Sequence, residues 1–223
     1  MTIHLHPTAP IAPDAILPGD PGRALALAQE LLVAPRMSNH HRGLWGYYGE
    51  AKAGGRPLTI QSTGIGGPSG AIVLSELAEL GVRRAVRVGT GVGASGRVPL
   101  GSFVVPSRAL GGDGTSTELG APETVDASVE LTAALAAALP GARRAPVATV
   151  DVYYYDGDRP AAGVEAFEMA AAPMFALGPR LGVEVACVLA VAATPAGERI
   201  GEERLLEAEL EMGRAAAAAL AAR

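Results

Sequence analysis

The sequence predicts an α/β protein that forms a single domain over residues 1–223, with a central mixed β-sheet flanked by helices. Three observations favour this fold class. Short apolar runs typical of buried strands alternate with longer helical patterns along the chain. Three of the strand-like runs end in turns that contain several glycines. The 223 residues carry no internal repeat and no linker, and this length suffices for one large hydrophobic core.

The most distinctive strand-and-turn unit covers residues 60–69, Ile-Gln-Ser-Thr-Gly-Ile-Gly-Gly-Pro-Ser. It follows a β-rich run at residues 56–60 and leads into a helical pattern that begins at Ala71. Its glycines permit a sharp turn close to a ligand, and Pro68 suits the first position of a helix. Such a unit often binds an anion or a sugar, but the same pattern also fits a tight connection without a ligand.

The chain before this unit predicts an extended arm, a short strand and a helix. Residues 1–14 are rich in proline and form the arm, and residues 15–19 form the strand. Asp20 suits the N-cap of the helix that follows. Arg23 then lies in the first helical turn, where a cation opposes the helix dipole. This conflict indicates an anion bound near Arg23.

The chain after this unit continues the alternation. Residues 44–51 and 56–62 predict an antiparallel pair joined by Gly54 and Gly55. Further strands are expected at residues 84–90, 102–106 and 184–193. Helices are expected at residues 71–81, 129–139, 167–181 and 202–223, and a loop at residues 111–122.

Composition excludes several classes of partner. The net charge of −5 and the isoelectric point near 5.4 argue against a nucleic-acid partner or an anionic membrane surface. The single cysteine, Cys187, lies in a predicted buried strand, where a core role is favoured and a reducing cytoplasm is expected. The apolar run at residues 215–222 is too short to span a membrane, and residues 1–15 lack the pattern of a signal peptide.

Three arginines stand beside glycine-bearing turns: Arg23, Arg42 and Arg87. Each could be an ordinary surface charge, but Arg87 lies inside an apolar strand. A buried guanidinium requires either a carboxylate or a bound anion as partner. Guanidinium groups match the geometry of phosphate, and Gly19 and Thr90 can add a backbone N–H and a hydroxyl. The sequence therefore predicts a phosphate site.

Four segments together resemble the nucleoside phosphorylase family, of the purine nucleoside and uridine phosphorylase type, and are most similar to the bacterial uridine phosphorylases. These segments are residues 18–23, 62–69, 87–90 and 167–169. The resemblance implies an α/β pentosyltransferase that cleaves the N-glycosidic bond of a nucleoside with inorganic phosphate as co-substrate. It implies no metal and no organic cofactor.

The resemblance also implies roles for the arginines and their neighbours. Gly19, Arg23, Arg87 and Thr90 match the residues that hold phosphate, and Arg42 matches one that reaches the same phosphate from a neighbouring subunit. Such a shared site implies a homodimer that assembles to a homohexamer. The apolar segment at residues 44–48 fits an interface as well, since it is an unusual segment to leave in water.

On the nucleoside side, His4 matches a histidine that contacts the sugar 5′-hydroxyl from the neighbouring subunit, with His6 as the competing candidate. Met169 matches a residue that lines the ribose. Tyr153 matches an aromatic residue that stacks on the base, and Arg159 matches an arginine that reads uracil. A tyrosine of the core or the surface is the plain alternative for Tyr153.

The nucleoside side also departs from the family pattern. Ala170 stands where the family has a glutamate that binds the ribose hydroxyls, so Glu168 is the candidate sugar-binding and catalytic carboxylate, together with Arg87 as the catalytic cation. Ala192 and Ala193 replace the Ser-Asp pair with which purine enzymes protonate the base. Gly157 stands where pyrimidine enzymes have a glutamine.

Three functions remain in consideration from the sequence. A phosphorylase of the uridine type, with an altered base or sugar site, is favoured by the retained arginines. The same three arginines disfavour a nucleosidase, because an enzyme that uses water in place of phosphate does not need three cations. A non-catalytic protein that binds phosphate or a nucleoside fits the alanines at positions 170 and 193, because fold does not determine function.

Overall fold

The computed structural model describes residues 2–95, 98–155, 159 and 163–222. The strands are β1 Asp14–Pro18, β2 Leu32–Asn39, β3 Gly46–Ala51, β4 Pro57–Gln61, β5 Arg84–Gly93, β6 Phe103–Val104, β7 Arg108–Gly111, β8 Thr124–Asp126, β9 Val147–Thr149, β10 Ala166–Glu168 and β11 Glu184–Ala193. The helices are α1 Pro21–Leu31, α2 Gly66–Glu79, α3 Gly114–Glu118, α4 Val129–Ala138, α5 Ala171–Leu181 and α6 Glu202–Ala221, and His41–Gly43 forms a 3-10 turn.

All of these strands join one mixed sheet, which confirms the predicted fold class. The strand order is β2-β3-β4-β1-β5-β10-β9-β7-β8, and β11 pairs with β5 and β6. The central strands β4, β1, β5 and β11 are mutually parallel, whereas the β2-β3-β4 edge is antiparallel. The sheet therefore combines a parallel centre, which places four carboxyl ends together, with antiparallel additions.

Helices cover both faces of the sheet, and the central strands alternate their side chains between them. Ile16, Val86 and Val88 pack in the cluster that contains α1, α4 and α6 residues. Leu17 and Ala85 point the other way, into the cluster with α2 and α5. Two buried faces explain why these strands read as continuous apolar runs.

Several predicted elements are confirmed. Asp20 caps α1 by accepting a hydrogen bond from the Arg23 backbone N–H at 2.7 Å, and Pro21 begins the helix. The β3–β4 hairpin turns through Gly54 and Gly55, whose φ angles of 87° and 64° favour glycine. No helix among the residues described in the structure has the length and apolar character needed to cross a membrane.

The helix predicted at residues 167–181 is wrong at its start. Ala166–Glu168 is strand β10, and α5 begins only at Ala171. The Glu168 carboxylate explains the boundary, because it accepts hydrogen bonds from the backbone N–H groups of Ala170 and Ala171, each at 2.8 Å. A helix starting before Glu168 would not leave its carboxylate at this N-terminus.

Two further expectations are corrected. The predicted loop at residues 111–122 contains α3, which Asp113 caps by accepting a hydrogen bond from Ser116 N–H at 2.8 Å. The chain from Leu32 to Asn39 forms β2, which pairs with β3, although the sequence predicts no strand between the first helix and residue 44. Both elements depend on capping or strand partners that apolar periodicity does not reveal.

Candidate active site

A cavity of about 450 Å³ opens at the carboxyl ends of the parallel strands. Residues that directly follow β1 and β4 line it, and Gly19 and Gly64 are in direct contact there. Gly64 N–H donates to the Gly19 carbonyl at 3.0 Å, and a Cβ on Gly19 would lie 3.2 Å from the Gly64 carbonyl oxygen. Such an edge is where α/β sheets bind ligands, so this cavity is the candidate active site.

Arg23 lies on one wall of the cavity and is almost fully buried. Its Nη2 lies 2.5 Å from Oε1 of Glu209, which belongs to α6, and its Nη1 donates to the Val88 carbonyl at 3.3 Å. Its Nε is buried and has no hydrogen-bond partner among the described residues. An unsatisfied buried donor of a cation suits an anionic ligand.

Arg87 also lines the cavity. Its Nη2 and Nε lie 3.0 Å and 3.3 Å from Oε2 of Glu168. The carboxylate that a buried arginine requires is therefore present within the chain. Thr90, three residues later on β5, also lines the cavity, so four of the five residues predicted to hold phosphate meet here: Gly19, Arg23, Arg87 and Thr90.

The Glu168 carboxylate is fully engaged. Besides Arg87, it accepts the Thr149 hydroxyl at 2.5 Å and the N–H groups of Ala170 and Ala171. The Thr149 oxygen in turn accepts the Ala172 N–H at 2.9 Å. This network leaves Glu168 on the cavity wall with its oxygens occupied by protein donors, which fits a role in holding Arg87 better than a role in holding a sugar hydroxyl.

Thr149 is a site-supporting residue that the sequence reasoning missed. It is completely buried and faces Glu168 because β9 and β10 pair in parallel with these two residues in register. A polar residue within the apolar run 147–150 was the available signal, but the pairing of β9 with β10 depends on tertiary structure.

The opposite end of the cavity is aromatic. Tyr153, Arg159, Phe167 and Met169 line it, as the predicted base and sugar contacts require. The Arg159 guanidinium lies 5.4 Å from the centre of the Phe167 ring and donates to the backbone carbonyl of Tyr153 at 3.3 Å. Ala192 adds an apolar wall, and the neighbouring carboxylate of Glu168 is occupied by Arg87, Thr149 and backbone N–H groups.

The other positions at which the sequence departs from the family pattern lie outside this cavity or outside the described residues. Ala170 is buried and does not line the cavity. It packs against α2, where a Cβ added to Gly70 would lie 3.5 Å from the Cβ of Ala170. Ala193 lines an adjoining cavity of about 490 Å³, which shares Tyr153 with the first. Gly157 lies outside the described residues.

Neither His4 nor Arg42 lines the cavity of its own chain. His4 is anchored to α2 because its Nδ1 lies 2.7 Å from Oε1 of Glu76, which also accepts backbone N–H groups of residues 3–5. Burial alone would raise the pKa of Glu76, but the His4 side chain and these N–H groups outweigh burial and lower the pKa to about 2. His41 Nδ1 contacts the His4 carbonyl at 3.0 Å, which brings the exposed Arg42 and the arm onto one surface.

Cys187 pairs with Arg87 across β5 and β11 and is completely buried. Burial raises the pKa of its thiol strongly, and the nearby Arg87 only partly opposes this. The thiol is therefore neutral and belongs to the core.

The comparison with known proteins agrees with this arrangement. The phosphorylase superfamily matches residues 13–223. The chain is 30% identical to a uridine phosphorylase of Thermococcus kodakarensis over 90% of this chain and 79% of the relative. It is 33% identical to a guanosine phosphorylase of Halorubrum lacusprofundi over 79% and 76% of the two chains.

A shorter match joins the chain to a DeoD-type purine nucleoside phosphorylase of Clostridium beijerinckii, at 36% identity over 49% of this chain and 46% of the relative. Relatives of both the uridine and the purine type are thus similar to this chain. The match over residues 13–223, together with the cavity at the carboxyl ends of its parallel strands, shows that the chain belongs to the phosphorylase superfamily.

Proposed function

We propose that the protein is a nucleoside phosphorylase that transfers the pentosyl group of a nucleoside to inorganic phosphate. The observation that carries this proposal is the juxtaposition of a cationic wall, Arg23 and Arg87, with an aromatic wall that ends in Tyr153 and Arg159. The relatives named as phosphorylases of uridine and guanosine support the same reaction.

Phosphate binds between Arg23, Arg87, Thr90 and the backbone of Gly19. Arg23 and Arg87 both line the cavity, and Glu168 holds Arg87 there through an ion pair. Fixed donors around an anion cost no reorganisation when it reacts, so they stabilise the attacking phosphate and the transition state together.

The reaction forms one bond and breaks one. A phosphate oxygen attacks the anomeric carbon of the pentose while the bond from that carbon to the base nitrogen breaks, and its electron pair departs with the base. The transition state carries positive charge on the sugar, which the phosphate stabilises, and negative charge on the base, which Arg159 stabilises at the aromatic end. No metal or organic cofactor takes part.

The preferred substrate is a nucleoside whose base leaves as an anion. Among the described residues that line the aromatic end, Ala192 and Phe167 offer no proton, and Arg159 supplies a cation. Uracil leaves well as an anion, whereas a purine depends more on protonation. We therefore assign the protein a uridine-type specificity.

The ribose side has lost a contact. Ala170 does not reach the cavity, and the Glu168 carboxylate is occupied by protein donors. Met169 is left to pack against the sugar. We therefore expect the 2′-hydroxyl to add little to binding, so ribonucleosides and 2′-deoxyribonucleosides react at similar rates.

The site is completed by a second copy of the chain. Neither His4 nor Arg42 lines the cavity of its own chain, which supports a contribution to a neighbouring one. A homodimer with two shared sites is the smallest active unit, and a homohexamer assembles from such dimers. The single, buried Cys187 supports a cytoplasmic location.

The test is the release of free base from uridine, 2′-deoxyuridine, inosine and guanosine, each with and without phosphate. Phosphate-dependent release, fastest with the two uracil nucleosides, is expected. Release at the same rate without phosphate would indicate a nucleosidase instead. An Arg87→Ala variant is the control, because it removes one of the two arginines that line the phosphate site.

A further inference from the structure

Glu209 on α6 contacts the phosphate site through Arg23. We propose that Glu209 is a positioning residue: its carboxylate holds the Arg23 guanidinium in place on the wall of the phosphate site. The inference rests on the proposed function, which makes Arg23 a phosphate ligand, and extends it to a helix that contributes no residue to the cavity wall.

The contact is close and sheltered. Glu209 Oε1 lies 2.5 Å from Arg23 Nη2, and the two side chains are only 12% and 9% exposed. The Val88 carbonyl accepts a second bond, from Nη1. A planar guanidinium held at two of its three nitrogens cannot rotate, so its remaining nitrogen, Nε, has a fixed direction. That nitrogen is the one without a protein partner.

Helix packing explains why Glu209 reaches Arg23. Gly213 lies against Leu27 of α1 so closely that a Cβ on Gly213 would be 2.2 Å from Leu27 Cδ2. Glu209 precedes Gly213 by four residues, and Arg23 precedes Leu27 by four, so each lies one turn from this contact on the same helix face. The glycine therefore lets α6 approach α1 closely enough for a direct ion pair.

A carboxylate at this place could act in a second way, by neutralising Arg23 and weakening the attraction for phosphate. The two roles predict opposite results for substitutions at Glu209. Gln keeps a hydrogen-bond acceptor without the charge, whereas Ala removes both. Positioning requires that Ala impair phosphate binding more than Gln does, and neutralisation requires that both substitutions strengthen it.

The experiment measures KM for phosphate, KM for the nucleoside and kcat in Glu209→Gln and Glu209→Ala. Glu207→Ala is the matched control, because Glu207 lies on the same helix, is exposed and pairs only with Arg204 among the described residues. We expect Glu209→Ala to raise the KM for phosphate about tenfold and Glu209→Gln to raise it about threefold at most, with the nucleoside KM within about twofold in both.

A second readout does not need turnover. The increase in Tm produced by inorganic phosphate should be smaller in Glu209→Ala than in the wild type and nearly normal in Glu209→Gln. An unchanged or lowered KM for phosphate in Glu209→Ala, or an undiminished phosphate-induced Tm shift, would overturn the proposal. If the wild type releases no base from any nucleoside, the proposed function fails, but the Tm shift still tests Glu209.

Discussion

Arg87 on β5 and Glu168 on β10 form a buried ion pair in which Nη2 and Oε2 are 3.0 Å apart. The same carboxylate also accepts the first free N–H groups of α5. One glutamate thus connects the phosphate site to a strand end and to a helix N-terminus, where a negative charge is stabilised by the helix dipole. The pair is as much a part of the local fold as of the site.

Glu168→Ala should therefore destabilise the protein severely, since it leaves a buried guanidinium and two N–H groups without their partner. We expect a loss of about 3–5 kcal/mol in the free energy of unfolding, measured with urea. Asp126→Ala is the control. It removes an exposed ion pair with Arg108 and should cost less than about 1 kcal/mol. Equal losses in the two variants would contradict the structural role of Glu168.

Arg159→Ala should slow the reaction by removing the cation that stabilises the departing base. We expect kcat for uridine to fall roughly 100-fold, as for loss of a donor to a developing anion. The loss should be smaller for 5-fluorouridine, because fluorine makes the base a better leaving group, and smaller for Arg159→Lys, which keeps the charge. Identical losses for the two nucleosides would place Arg159 outside the chemical step.

Mixing two inactive variants tests the shared site. In the proposed dimer, each site takes Arg87 from one subunit and Arg42 from the other. A mixed dimer of Arg42→Ala and Arg87→Ala subunits therefore contains one site with both arginines intact. Random exchange in a dimer makes about one quarter of all sites intact, and activity should return to about that fraction. Arg87→Ala mixed with Arg23→Ala is the control, because both arginines line the cavity of the same subunit. No recovery in the first mixture would mean that Arg42 does not act across an interface.

Glu76→Gln should weaken the anchor of the N-terminal arm in a pH-dependent way. The pKa of Glu76 is lowered from 4.5 to about 2 in the folded chain, so its ionised form adds stability that is fully present above about pH 4.5. That stability disappears as the pH falls toward 2. Thermal unfolding should thus show a large difference between variant and wild type at pH 7 and a vanishing one near pH 2. Glu79→Gln, which replaces an exposed carboxylate on the same helix, is the matched control.

The parts that were predictable from sequence are those determined by neighbouring residues. Asp20 and Pro21 start α1 by capping and fixed φ, and β11 has its predicted bounds of Glu184–Ala193 because both faces of that strand are apolar. Arg87 could be recognised as unusual from its apolar neighbours alone. In each case the physical cause lies within a few residues of the chain.

The parts that were not predictable depend on contacts between distant segments. The strand at Ala166–Glu168 exists because β5 and β9 pair with it, and the helical periodicity of the following alanines hides it. Thr149 reaches Glu168 only through strand register. Glu209 lies 186 positions after Arg23, on an ordinary-looking helix face, so nothing local marks it as part of the phosphate site.

Phosphorolysis is tested most directly by identifying the sugar product with ³¹P nuclear magnetic resonance, with uridine and inorganic phosphate as substrates. We expect one pentose 1-phosphate for each uracil released, and no uracil release when phosphate is omitted. Free pentose as the sugar product, with uracil released whether or not phosphate is present, would show that the protein is not a phosphorylase.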